Sequence, residues 1–198
     1  MKYLLSAALT AVALLTGSEG AHADALPGLR GHDHTGFTVP DMAQAVDFFN
    51  VLGCKTAMSF GPFSDDKGTF MTDALGVDAK AVIKQITQVR CGFGSNIELF
   101  EYSAPDQKTL TRRNSDIGAF HIAFYVDDVA IAKAYLDKKG IATRMGPIPI
   151  KEGPAGGQTI LYFQAPWGLQ FEAISYPQGM AYEKTSETKL WDPKKPGE

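Results

Sequence analysis

Apolar and polar positions along the chain change period in a fixed order. From His34 the residues HTGFTV are rich in β-branched and aromatic types and are bounded by turn residues, which predicts a strand. After Pro40 the spacing becomes helical, with Met42, Ala45, Val46, Phe49 and Leu52 on one face. Asp41 stands where a helix N-cap belongs, Gln44 completes a capping box, and Gly53 suits the left-handed residue that closes a helix.

The same order then repeats. HTGFTVPDMAQAVDFF, from His34, and HIAFYVDDVAIAKAYL, from His121, share a leading histidine, then phenylalanine, valine, aspartate, alanine and an aromatic residue at matching offsets, and end before Gly53 and Gly140. Further on, GSNIELFEY (94–102) and GLQFEAISY (168–176) match at glycine, glutamate and tyrosine. Each copy has room for two more strands, at 55–60 and 81–90 in the first and at 142–145 and 158–164 in the second. The fold class is α+β, two tandem βαβββ modules over 32–103 and 116–177. Two irregular stretches, 61–76 and 146–157, read equally as binding loops or as exposed insertions. Residues 178–198 form a polar C-terminal tail, expected to pack loosely.

The first 23 residues stand outside this pattern. A short positive start (Met1, Lys2), an apolar run over Leu4–Leu15 and a small-x-small motif at Ala21-His22-Ala23 describe a cleavable signal peptide, too short to span a bilayer. Cleavage after Ala23 would place the protein in the periplasm or outside the cell with no membrane anchor, and would remove His22. The chain as a whole is 44% hydrophobic and 21% charged, which is globular composition, and its net charge of −3 without a basic run argues against a nucleic-acid partner. An oxidising compartment lets Cys54 and Cys91 pair if the strands they flank lie antiparallel; two buried thiols remain the alternative.

Each module places one histidine on its first strand and one glutamate on its last. Side chains alternate along a strand, so Glu98 shares a face with Asn96, Phe100 and Tyr102, and Glu172 with Ile174 and Tyr176. If the two sheets curl towards each other, His34, Glu98, His121 and Glu172 meet at one point. Two imidazoles and two carboxylates suit one divalent ion of intermediate hardness, Ni, Zn, Co, Fe or Mn. His32 competes with His34 for the first position, but only His34 matches His121, which leaves His32 a neighbouring or surface residue.

The two histidine-headed stretches and APWGLQFEAI (165–174) resemble the vicinal oxygen chelate superfamily, which includes glyoxalase I, methylmalonyl-CoA epimerase, extradiol dioxygenases and the fosfomycin and bleomycin resistance proteins. The resemblance covers residues 32–177 and implies a cupped mixed sheet around a metal that chelates two oxygens of a small-molecule substrate. It places His34, Glu98, His121 and Glu172 where the metal-dependent glyoxalase I type has its ligands. It makes Glu172 the first candidate for a catalytic base and Glu98 the second.

The function so implied is an exported metal-dependent lyase or isomerase of the glyoxalase type, which stabilises an enediolate of a small carbonyl compound. An Fe(II) dioxygenase, for which Glu98 is surplus, and a non-enzymatic small-molecule binding protein are the alternatives. The resemblance leaves open whether one chain closes a site or a homodimer exchanges modules to do so.

Overall fold

The computed structural model describes residues 26–65, 67–109 and 112–197, so the leader and its cleavage site lie outside the described residues. By contacts the chain divides into Met1–His32 and Asp33–Glu198. Of the first unit only a turn and extended chain are described; the second carries the fold.

That unit is α+β and consists of the two expected modules. In the first, β1 (His34–Thr38), α1 (Met42–Val51), β2 (Lys55–Phe60), β3 (Val82–Arg90) and β4 (Asn96–Ser103) form a sheet of order β1-β4-β3-β2. In the second, β5 (His121–Tyr125), α2 (Val129–Lys138), β6 (Ile148–Pro149), β7 (Thr159–Gln164) and β8 (Gln170–Ser175) repeat it as β5-β8-β7-β6. In both sheets the first strand runs parallel to the last and the remaining pairs are antiparallel. A parallel first-to-last pairing needs a crossover between its strands, which the helix and two further strands supply. Among the described residues no helix is long and apolar enough to cross a membrane.

Helix ends follow the sequence. Asp41 accepts a hydrogen bond from the Gln44 amide at 2.8 Å, and Asp128 accepts from the Ala130 and Ile131 amides. Gly53 (φ 90°) and Gly140 (φ 72°) take the left-handed conformation after each helix. The matching positions three residues after each site glutamate also do equivalent work. Glu101 accepts from the Met42 amide at the start of α1, and Ser175 donates to the Asp127 carbonyl just before α2.

Three details depart from the sequence reading. The strand expected at 142–145 shortens to a bridge between Thr143 and Phe163, flanked by backbone bonds from Arg144 to Tyr162 and from Gln164 to Ala142. Pairing resumes only at Ile148–Pro149, because Gly146 turns the chain and Pro147 and Pro149 have no N–H to donate. Phe48 is as buried as the expected face of α1, because the second module comes to that side. The C-terminal segment is not loose: Ala181 and Tyr182 donate backbone hydrogen bonds to Gly156 and Pro154, at 2.8 Å each.

One core joins the modules. Phe37, Phe48, Phe49, Ile97 and Leu99 from the first pack in a single cluster with Leu136, Leu161, Phe163, Phe171 and Ala173 from the second. Phe48 is central, with ring centroids 5.3 Å from Phe171, 5.4 Å from Trp167 and 6.5 Å from Phe163. Burying each such phenylalanine contributes about 1.5–3 kcal/mol. A smaller cluster, Met71, Ala81, Ile83 and Ile86, packs against Phe100 and Tyr102 on the other face of the first sheet. Met71 sits in the single π turn Phe70–Ala74, so the 61–76 segment folds back onto the sheet.

Cys54 and Cys91 form a disulfide. They flank paired ends, since Lys55 lies opposite Arg90 in the antiparallel β2–β3 ladder. The bond closes a loop of sequence separation 37, which stabilises mainly by restricting the unfolded chain. Replacing both cysteines by serine should cost about 2–4 kcal/mol in urea unfolding, and reductant should lower wild-type stability similarly while leaving the double variant unchanged.

Candidate functional site

The duplicated strands place the four candidate residues in identical registers. His34 opens β1 opposite Asn96, and Gly36, two residues on, lies opposite Glu98. His121 opens β5 opposite Gln170, and Ala123, two residues on, lies opposite Glu172. Each histidine therefore reaches diagonally across a parallel pair to its glutamate. His34 Nε2 is 3.3 Å from Glu98 Oε2, and His121 Nε2 is 3.1 Å from Glu172 Oε2.

The structure makes two pairs and not one cluster of four. Ile97, Leu99, Phe171 and Ala173 point into the core shared by the modules, so the alternate residues Glu98 and Glu172 lie on the opposite, outward faces of their sheets. Among the described residues no group of three or more histidine, cysteine, aspartate and glutamate side chains is placed to hold an ion. The expected convergence on one point within a chain thus gives way to two half-sites, because the aromatic core takes the faces that would have had to meet. His32 is exposed and belongs to neither pair.

The two halves are tuned differently. His34 Nδ1 lies 2.6 Å from Asp33 Oδ1, which orients the ring and raises its pKa; partial burial opposes this and the Glu98 charge adds to it. Glu98 Oε1 accepts from the Gln88 amide at 3.1 Å, and Gln88 stands directly opposite it on β3. In the second half that place belongs to Tyr162, directly opposite Glu172 on β7. Its ring meets His121 edge-on at 5.3 Å, and its phenol stands near the Glu172 carboxylate. Burial pushes the Glu172 carboxyl above its ordinary pKa, against the opposing pull of His121 and the nearby Tyr162 hydroxyl. The Tyr162 phenol is raised too, first by burial and then by the neighbouring carboxylate.

Sequence reasoning missed Asp33, Gln88 and Tyr162. Asp33 was signalled by the HDH run, an acidic residue beside a candidate ligand, whereas Gln88 and Tyr162 become visible only once strand register is known.

Each pair fits a divalent ion. Two donor atoms about 2.0–2.2 Å from one ion, at an angle of about 90–110°, lie roughly 2.8–3.6 Å apart, which brackets both observed separations. A carboxylate on the second ring nitrogen is also the usual companion of a metal-binding histidine, and Asp33 supplies one. The imidazoles are partly open, at 38% and 36% side-chain exposure, while the carboxylates are 16% and 9% exposed. A ligand can therefore reach each pair only from its outward face.

The buried Glu172 makes a prediction for metal-stripped protein. A carboxyl whose folded pKa is raised above 4.5 is favourable when protonated and costs stability as pH rises through the folded value. Glu172→Gln should therefore raise the melting temperature at pH 7 relative to wild type, and the difference should shrink towards pH 4, as read by calorimetry in the presence of chelator.

Comparison with known proteins agrees with this architecture. A family model described as the glyoxalase/bleomycin resistance protein/dioxygenase superfamily matches residues 33–162. A curated 2-epi-5-epi-valiolone epimerase from Actinomyces sp. is 41% identical over 170 residues, which cover 85% of this chain and 91% of the relative. The fold is shared with a glyoxalase family protein from Bacillus cereus, with a TM-score of 0.59, 17% identity and coverage of 76% of this chain and 98% of the other. It is also shared with a glyoxylase/bleomycin resistance protein/dioxygenase domain from Frankia sp. EAN1pec, with a TM-score of 0.51, 20% identity and coverage of 75% and 98%. On the family match, the near full-length relative and the repeated fold, the chain belongs to the glyoxalase/bleomycin resistance protein/dioxygenase superfamily.

Proposed function

We propose that the protein is a metal-dependent epimerase that inverts a carbon next to the carbonyl of a small polyhydroxylated ketone. The observation that carries this reading is the buried Glu172, raised in pKa, opposite Tyr162 and 3.1 Å from His121. The 41% identity to an epimerase supports it. His34, Glu98, His121 and Glu172 would hold the ion, and when bound it supplies Lewis-acid stabilisation of the charge that develops on the carbonyl oxygen.

The residues of this chain would do the proton work. A carboxylate pushed upward by burial is a better match to neutral pH than an ordinary one, so Glu172 is suited to take the proton from the carbon beside the carbonyl. Inversion requires that a proton return on the opposite face. Glu98 is the natural second group if a half-site of each kind faces the other across the substrate. A lyase of the glyoxalase type would use the same first step, and the epimerase relative is what favours inversion.

Because both half-sites face outward, we propose that a second copy completes the site, with His34 and Glu98 of one chain opposite His121 and Glu172 of the other. The exposed apolar side chains of β2, Met58 at 47% and Phe60 at 53%, lie on the Glu98 face of the first sheet and would be covered by such a contact. We also propose export, which the Cys54–Cys91 disulfide supports, since such bonds persist in oxidising compartments. N-terminal sequencing of the mature protein should then begin at Asp24.

Three experiments test the catalytic reading. In deuterated water the product should carry one deuterium at the inverted carbon, and chelation should stop the exchange; exchange at an unchanged rate after metal removal would overturn metal dependence. Glu172→Gln should reduce turnover by about 10²–10⁴-fold, and Glu98→Gln should lose metal or turnover, whereas an oxygenase would keep both. Mixing inactive His34→Ala and His121→Ala proteins tests the shared site. Random two-fold pairing would give one intact site in half the dimers, about a quarter of wild-type activity; no recovery would overturn it.

A further inference from the structure

Gly36 is a glycine that the chain itself does not require. It lies in the interior of β1, where glycine weakens a strand because it has no side chain to pack. Three internal causes could demand it, and the structure supplies none of them. Its backbone is extended, outside the left-handed region that Gly53 and Gly140 occupy. The β1–β4 register runs unbroken from His34 opposite Asn96 to Thr38 opposite Phe100, so the position is not a bulge. Nor does anything crowd it: a Cβ built at Gly36 would meet its nearest atoms, Glu98 Oε2 and Phe100 Cε2, at 3.6 Å each, an ordinary van der Waals contact. The matching residue of the second module, two past His121, is Ala123, so the repeated scaffold carries a Cβ at this place.

The space left open belongs to the first half-site. Glu98 Oε2 is the oxygen that lies 3.3 Å from His34 Nε2, so whatever enters above Gly36 touches the pair. The other wall is the ring of Phe100, two residues past Glu98 on the same face of β4. That ring is held in place, stacked on Tyr102 with centroids 5.6 Å apart at 20° and packed against the Met71 cluster. Ile86, opposite Phe100, and Phe60, opposite Ile86, continue the apolar row across the sheet.

A notch with a carboxylate oxygen on one side and a fixed aromatic ring on the other suits a small oxygenated molecule. Its oxygens go to the His34–Glu98 pair, and the carbon beside them turns its C–H flank to the ring. A glycine inside a regular strand commonly marks close approach by a ligand, and here that ligand would take the place of the missing side chain.

We infer that Gly36 and Phe100 are specificity-determining residues of the site: the notch above Gly36 receives the carbon skeleton next to the substrate's oxygens, with its C–H flank against Phe100. The inference rests on the metal-dependent epimerase reading and adds to it the surface that holds the substrate. Neither residue moves a proton.

The full chain loaded with zinc tests this, with acetohydroxamate, a non-reacting oxygen chelator carrying one methyl group, as the probe. Gly36→Ala should keep the zinc content, the oligomeric state and a melting temperature no lower than wild type, because the added Cβ meets no clash. In calorimetry it should weaken acetohydroxamate binding about tenfold, and Gly36→Val should weaken it further. Phe100→Leu should weaken binding about threefold at unchanged zinc content. Absent binding to wild type, binding unchanged in both Gly36 variants, or weakening that comes with lost zinc or a changed oligomeric state overturns the inference. Deuterium exchange into dihydroxyacetone and erythrulose, read by NMR, judges the epimerase reading separately. No exchange by wild type, with probe binding that depends on residue 36, leaves the notch standing and removes the epimerase reading. Exchange with the same KM in wild type and both Gly36 variants keeps that reading and overturns the notch.

Discussion

The aromatic contact between the modules decides where everything else can be. Phe48 and Phe49 of α1 meet Phe163 and Phe171 of the second sheet, and Leu99, Leu161 and Ala173 close the same cluster. Because strand side chains alternate, committing these residues to the interior fixes the opposite direction for Glu98 and Glu172. The direction is not negotiable by one residue, since a register slip would bury a carboxylate and expose a phenylalanine in the same strand. Two outward half-sites are thus the consequence of a single shared core, and they are the structural basis for proposing that a second copy completes the site.

Duplication supplied two similar halves, and the cross-strand neighbours made them unequal. The residue directly opposite the glutamate is Gln88 in one sheet and Tyr162 in the other. An amide that donates to Glu98 and an aspartate that grips His34 give the first half a set of fixed polar partners. The second half is more deeply buried, and its carboxyl is pushed upward by desolvation. The half-sites therefore differ in how readily their carboxylates hold a proton, with Glu172 the one shifted upward by its burial.

Much of the architecture was legible in the sequence because it was written twice. One histidine-headed strand and helix would have supported only a local reading; the second copy is what made His34, Glu98, His121 and Glu172 readable as two like pairs. The disulfide was legible only as one of two alternatives, and the antiparallel β2–β3 ladder decides between them. What stayed hidden depends on contacts remote in sequence. Burial of Phe48 comes from the other module, and Tyr162 acquires meaning only from its register with Glu172. The shortened strand at 142–145 follows from Gly146, Pro147 and Pro149, whose effect on pairing outweighs the β-forming residues before them.

The segments between and after the repeated elements complete the same logic. On the first sheet, the insertion before β3 sends Met71 onto Phe100 and Tyr102, covering the face beyond Glu98. On the second sheet, Trp191 and Lys194 come over Tyr125 and Tyr176, covering the face beyond Glu172. Tyr102 and Tyr176 are equivalent in the duplication, each four residues past its glutamate, so both coverings fall at the same place in the repeat. The scaffold repeats the metal-fitting pairs, while the unrepeated segments fill the space beside them differently, packing it with apolar side chains in one half and leaving an aromatic cleft in the other. The asymmetry of these coverings is therefore added by the parts of the chain that the duplication does not share.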